Sequence, residues 1–185
     1  MDLLVGEPWP SAAALQQEWL HNLARRQEVR QALLLQQQMG LLTAEVPESF
    51  YQLLTLHPWQ WWRRRRAGRH YASLHLFVWQ QALQETQPLY AAGLLRLLRH
   101  SLLQSDRAGA KMVARLERHL ALYAWLSDNI REEGFLRIAQ YVLQDIFGDI
   151  RKQPMRLPTA VQLADYLDHY FESEYRHLQA LEIIR

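Results

Sequence analysis

Apolar side chains recur at helical spacing along nearly the whole chain, and no long stretch alternates with the two-residue period of a strand. The first predicted helix runs from Ser11, a good N-cap, to Gly40, a good C-terminal stop, with Leu15, Trp19, Leu23, Leu33 and Leu34 as its buried stripe. A short second helix starts near Pro47 and covers FYQLLTL, until His57-Pro58 interrupts it. Pro58 suits the first position of a third helix, read from Trp59 to about Gln84 with a break at Ala67-Gly68. Pro88 opens LYAAGLLRLLRHSLL, and Asp106 caps a helix through MVARLERHLALYAWL. Asn129 with Glu132, and Thr159 with Gln162, have capping-box spacing for REEGFLRIAQYVLQDIF and VQLADYLDHYFESEYRHLQALEII. Residues 151–158 between them read as a loop. In the last helix Tyr166, Tyr170, Phe171 and Tyr175 lie around the apolar side, either as core or as part of an interface.

This pattern predicts an all-α fold, a multi-helix bundle of about six to eight helices with no sheet, forming a single domain over 1–185. The composition agrees. Apolar residues make up 49% of the 185, enough for a sizeable core, and only 7 Gly and 7 Pro interrupt it. The absence of cysteine excludes a disulfide framework, a thiolate metal site and a cysteine nucleophile. No window approaches the roughly 18 consecutive apolar residues of a membrane span, and MDLLVGEPWP does not read as a signal peptide. The expectation is a soluble, cytoplasmic chain without a membrane partner.

Charge changes the picture. The net charge is +2, but residues 49–120 carry 11 basic and 3 acidic side chains, while the segments on either side are net acidic. The basic segment opens on PWQWWRRRRAGRHY, residues 58–71. On a helix from Pro58, Trp59, Trp62 and Arg66 fall on one side with Arg65 and Arg69 near it, while Trp61 and Arg64 point elsewhere. Arginine grips phosphate with its forked donors, and tryptophan stacks on unpaired bases. Trp59, Trp62, Arg63, Arg64, Arg65, Arg66 and Arg69 are therefore the candidate nucleic-acid-binding residues. The alternative reading makes the tryptophans core and the arginines a solvated face. A third pairs the arginines with the acidic terminal helices of the same chain or of another copy.

Two further spacings bear on chemistry. Arg65-x4-His70 resembles the Arg-x4–6-His signature of HEPN-type ribonucleases, an all-helical family that cleaves RNA without metal, although Arg66 stands where that family often has a polar amide. The resemblance covers six residues and implies His70 as acid–base group and Arg65 as phosphate holder. Glu-x-x-His occurs at Glu18–His21 and at Glu174–His177, and two such motifs with two more glutamates build the di-iron site of ferritin-like bundles. There the motifs lie on the second and fourth helices, whereas here they lie on the first and last. No zinc-like histidine spacing, glycine-rich phosphate loop or nucleophile elbow occurs.

The expected function is that of a non-catalytic binding or assembly subunit, with no cofactor and no metal, within a larger complex or a homo-oligomer. Its Trp/Arg surface would take an anionic partner, RNA or DNA first and an acidic protein surface second. The metal-independent ribonuclease and the di-iron protein are the alternatives of a different class.

Overall fold

Leucines repeating every three or four residues bury one side of each helix, and the computed structural model shows where those sides meet. It describes residue 28 and residues 30–104, 107–127, 135–149 and 156–182. Among them the ordered elements are all helices, without a strand. These are α1 (30–43), α2 (Glu48–Leu53), α3 (Trp61–Thr86), α4 (Pro88–Gln104), α5 (Arg107–Ser127), α6 (Leu136–Phe147) and α7 (Leu157–Glu182). The chain divides into two compact units, 1–37 and 38–185, and the bundle described below lies in the second.

Helix α3 is the centre of that bundle and packs against α7, α5, α4 and α6. It buries Leu74, Phe77, Val78, Trp79, Ala82 and Leu83. Leu94, Leu98 and Leu102 are buried on α4, which packs against α3 and α5, and Ile138, Val142, Leu143 and Ile146 form the buried stripe of α6. Ala160, Leu163 and Leu167 of α7 complete the main core, with Tyr166, Tyr170 and Phe171 packed at its edge. Tyr166, Tyr170 and Phe171 thus serve the core, while Tyr175 lies beyond it against Phe171.

Several helix ends differ from the expectation. Helix α1 continues through Gly40 to residue 43, because Gly40 does not take the left-handed conformation that would stop it. Leu33 is exposed rather than part of a buried stripe, while Leu34 is buried. Residues 1–27 lie outside the described residues, and with them Ser11, Leu15, Glu18, Trp19, His21 and Leu23.

The third helix begins at Trp61, not at Trp59. The Gln60 side chain accepts from the His57 backbone N–H at 3.2 Å, and the Gln60 N–H donates to the His57 carbonyl at 3.0 Å. That turn keeps Pro58 and Trp59 out of the helix. No break occurs at Ala67-Gly68. The helix packs closely there, and a Cβ on Gly68 would meet Val46 Cγ2 tightly at 3.3 Å and Tyr51 Oη at an ordinary 3.5 Å.

Asn129, Glu132 and residues 151–155 are outside the described residues. The last helix starts at Leu157, before the expected cap, so Thr159 is a buried residue of its first turn. Pro158 fits there because the first turn leaves its N–H groups unpaired in any case. Helix α6 ends at Gly148, whose φ of 85° is the left-handed conformation that glycine adopts without steric cost.

Candidate nucleic-acid interface

The tryptophans of the Trp/Arg stretch are not core. Trp59, Trp61 and Trp62 are 68%, 65% and 49% exposed, which removes the reading that placed them inside. Trp59 lies flat on His57, with ring centroids 4.2 Å apart, because the turn before α3 carries it away from the helical stripe. Trp61 and Trp62 meet edge to face at 6.2 Å.

The arginines divide into two groups. Arg64 pairs with Glu48 and lies 4.0 Å over the Tyr51 ring. Arg63 lies 5.2 Å from the centre of the Phe147 ring, which Arg156 also covers at 3.9 Å. Arg63 and Arg64 therefore tie α3 to its own neighbours, although the sequence reading grouped them with the partner-binding residues. Trp62, Arg65, Arg66 and Arg69 are spaced by three and four residues along the outer side of α3, and all four are exposed.

Helix α5 completes this face. Arg65, Gly68 and Arg69 share an open groove of about 490 Å³ with Arg115. Burial and the charge of Arg69 lower the pKa of Arg115, and its Nε is buried without a hydrogen-bond partner. Among the described residues, no ion pair joins Arg65, Arg69, Arg115 or Arg118 to a carboxylate, and none links the Arg63–Arg69 run to Asp165, Asp168, Glu172 or Glu174. Glu172 pairs instead with Arg176 on its own helix.

Beside the groove lies a smaller cleft of about 220 Å³, lined by Arg66, Arg69 and His70 of α3, Arg118, His119 and Leu122 of α5, and Tyr141 and Asp145 of α6. Its floor is a polar chain that runs from buried Tyr123 and His70 to exposed Asp145. His70 is 1% exposed, with Nε2 3.0 Å from Asp145 Oδ2 and Nδ1 2.7 Å from Tyr123 Oη. Both ring nitrogens are thus engaged, one by the carboxylate and the other by the tyrosine hydroxyl. The His70 hydrogen bond lowers the pKa of Asp145, and Arg66, which donates to the Asp145 carbonyl at 2.9 Å, adds to the effect. Burial raises that of Tyr123 well above its ordinary value.

The His119 ring stacks on His70 at 4.8 Å. The Ser73 hydroxyl gives its one proton to the Arg69 carbonyl at 3.1 Å, so His119 Nδ1 donates to Ser73 Oγ across 2.9 Å. Among the described residues no hydrogen-bond partner then meets the Nε2 lone pair. Burial first, then the charges of His70 and Arg115, lower the His119 pKa to about 4 against the pull of Asp145.

The two chemical spacings fare differently. Arg65 and His70 do not form the exposed pair that the ribonuclease resemblance implies, because His70 is buried and both of its ring nitrogens are engaged. For the paired Glu-x-x-His motifs, Glu18 and His21 lie outside the described residues. Glu174 is buried beside Tyr170; burial raises its pKa, while the tyrosine hydroxyl and His177 pull it down. No cluster of three or more His, Asp or Glu side chains arranged to hold a metal occurs among the described residues. No described helix is long and apolar enough to cross a membrane.

Sequence reasoning missed Arg115, Arg118, His119, Tyr123, Tyr141 and Asp145. A signal for the first three was present, since 115, 118 and 119 share one helical stripe. Nothing in the order of residues says that this stripe lies beside Arg65 and Arg69. Compared with protein-family models, with curated proteins and with solved structures, the chain shows no significant match.

Proposed function

We propose that the chain binds single-stranded nucleic acid, as a binding subunit, through the guanidinium face of α3 and α5. The observation that carries this reading is the convergence of Arg65, Arg69, Arg115 and Arg118 without a carboxylate partner among the described residues. Like charges held together repel, and a phosphate backbone relieves that repulsion while releasing its own counterions. Arg66 adds the remaining donors of its fork, one of which is held by the Asp145 carbonyl. The exposed Trp62 at the end of the stripe favours an unpaired strand over a duplex, since an aromatic ring contributes about 1–3 kcal/mol only where a base is free to stack on it. Trp59 and Trp61 extend the aromatic surface. Arg63 and Arg64 support the helix rather than the ligand.

The test is a fluorescence-anisotropy titration with single-stranded RNA, single-stranded DNA and duplex at several salt concentrations. Affinity for single strands should fall with salt by a log–log slope of about 0.7 for each phosphate contacted. Arg65→Gln and Arg115→Gln should each flatten that slope by roughly one unit or less and weaken binding alike across sequences. Absence of binding at low salt would refute the reading and direct the face towards an acidic protein surface.

A further inference from the structure

We infer that the cleft between α3, α5 and α6 holds the terminal phosphate monoester of a bound strand. The inference rests on the strand-binding face proposed above and names what lies at its end. Arg69 belongs to both the open groove and the cleft, so the two adjoin and a strand lying on the first can reach the second with its end. At about 220 Å³ the cleft is smaller than the roughly 300–1,000 Å³ of ordinary ligand sites, so it suits one phosphate with part of its sugar and not a continuing backbone.

Its charge fits a doubly negative group. Arg66, Arg69 and Arg118 face one carboxylate, that of Asp145, and this carboxylate is already engaged by His70. Tyr141 adds a neutral donor: burial and the charge of Asp145 raise its pKa, so the hydroxyl keeps its proton.

His119 supplies the discrimination between a terminal and an internal phosphate. Its Nδ1 is committed to Ser73, while Nε2 has no hydrogen-bond partner among the described residues. A phosphate monoester has a second ionisation near pH 6, so at mildly acid pH it still carries a proton that the Nε2 lone pair can accept. Whether that proton sits on the ligand oxygen or on Nε2, the pair makes one charge-assisted hydrogen bond. The groups facing this proton are Arg66, Arg69, His70 and Ser73 from α3, Arg115 and Arg118 on α5, and Tyr141 and Asp145 from α6. An internal phosphodiester has no proton to share at that pH and lacks this bond.

The experiment compares one single-stranded RNA with a 5′-phosphate, with a 3′-phosphate and with hydroxyls at both ends, on the full chain at about pH 6, near the second ionisation of the monoester, and at fixed ionic strength. One phosphorylated form should bind at least about tenfold tighter than the hydroxyl form, the gain of a charged hydrogen bond. His119→Gln should abolish that ratio and Tyr141→Phe should reduce it severalfold; the second variant removes a single hydroxyl and keeps the ring. Equal affinity for all three strands would overturn the cleft and leave the face standing, and so would a gain that survives in both variants. Failure of every strand to bind would overturn the face as well. Inorganic phosphate that binds the cleft while neither phosphorylated strand gains would assign it to the free ion and overturn the strand-end reading.

Discussion

Acidification should destabilise this protein above the range where carboxylates titrate, with His119 contributing alongside His75, whose pKa burial also lowers. In the unfolded chain the His119 imidazole takes a proton near pH 6.5. In the folded chain it does so only near pH 4, because burial, His70 and Arg115 disfavour the cation more than Asp145 favours it. Between these values the unfolded state binds more protons, so stability is full above about pH 6.5 and falls as the pH drops towards 4. A gap of about two and a half pH units corresponds to at most about 3 kcal/mol at 1.36 kcal/mol per unit. The ring is only partly buried, and solvent screening reduces this to about 1–2 kcal/mol. Urea unfolding followed by circular dichroism, at several pH values from about 7.5 to about 4.5, measures the loss. The same series on His119→Gln subtracts every other titrating group, including Asp145, whose lowered pKa places its own loss at more acid pH. Parallel pH dependences in the two proteins would refute the account of His119 as a histidine held neutral by its surroundings.

Asp145→Ala should cost about 1–3 kcal/mol in the same urea assay, because it leaves the buried His70 Nε2–H without an acceptor, and Asp145→Asn should recover part of that loss. An Asp145→Ala protein as stable as the wild type would remove the His70 chain from the account of the fold. Arg64→Ala should cost about 1 kcal/mol or less, from its Tyr51 and Glu48 contacts, and should leave the salt slope of strand binding unchanged. A slope that flattens as much as in Arg65→Gln would return Arg64 to the binding face.

The sequence alone determined the fold class. Apolar residues at three- and four-residue spacing, few glycines and no strand alternation leave a chain only helices with which to bury its core. It also located the basic segment, since net charge along the chain does not depend on folding. Helix ends were less legible, because they depend on single local bonds and on near neighbours. The Gln60 side chain on His57 started α3 two residues late, and Gly68, which looks like a break in the sequence, lies within the helix where Val46 leaves little room for a Cβ.

The tertiary structure decided which arginines are available. Arg63, Arg64, Arg65 and Arg66 are adjacent, yet successive helical residues point about 100° apart, so Arg63 reaches Phe147, Arg64 reaches Tyr51, and Arg65 turns outward. It also decided the cleft. His70, His119 and Asp145 are far apart in sequence, and each taken alone is an ordinary helical residue. Only the packing of α5 and α6 against α3 stacks one imidazole on the other and places the carboxylate at the end of the pair. Contacts between distant segments depend on which helix faces pair, and a one-dimensional periodicity gives each face without naming its partner.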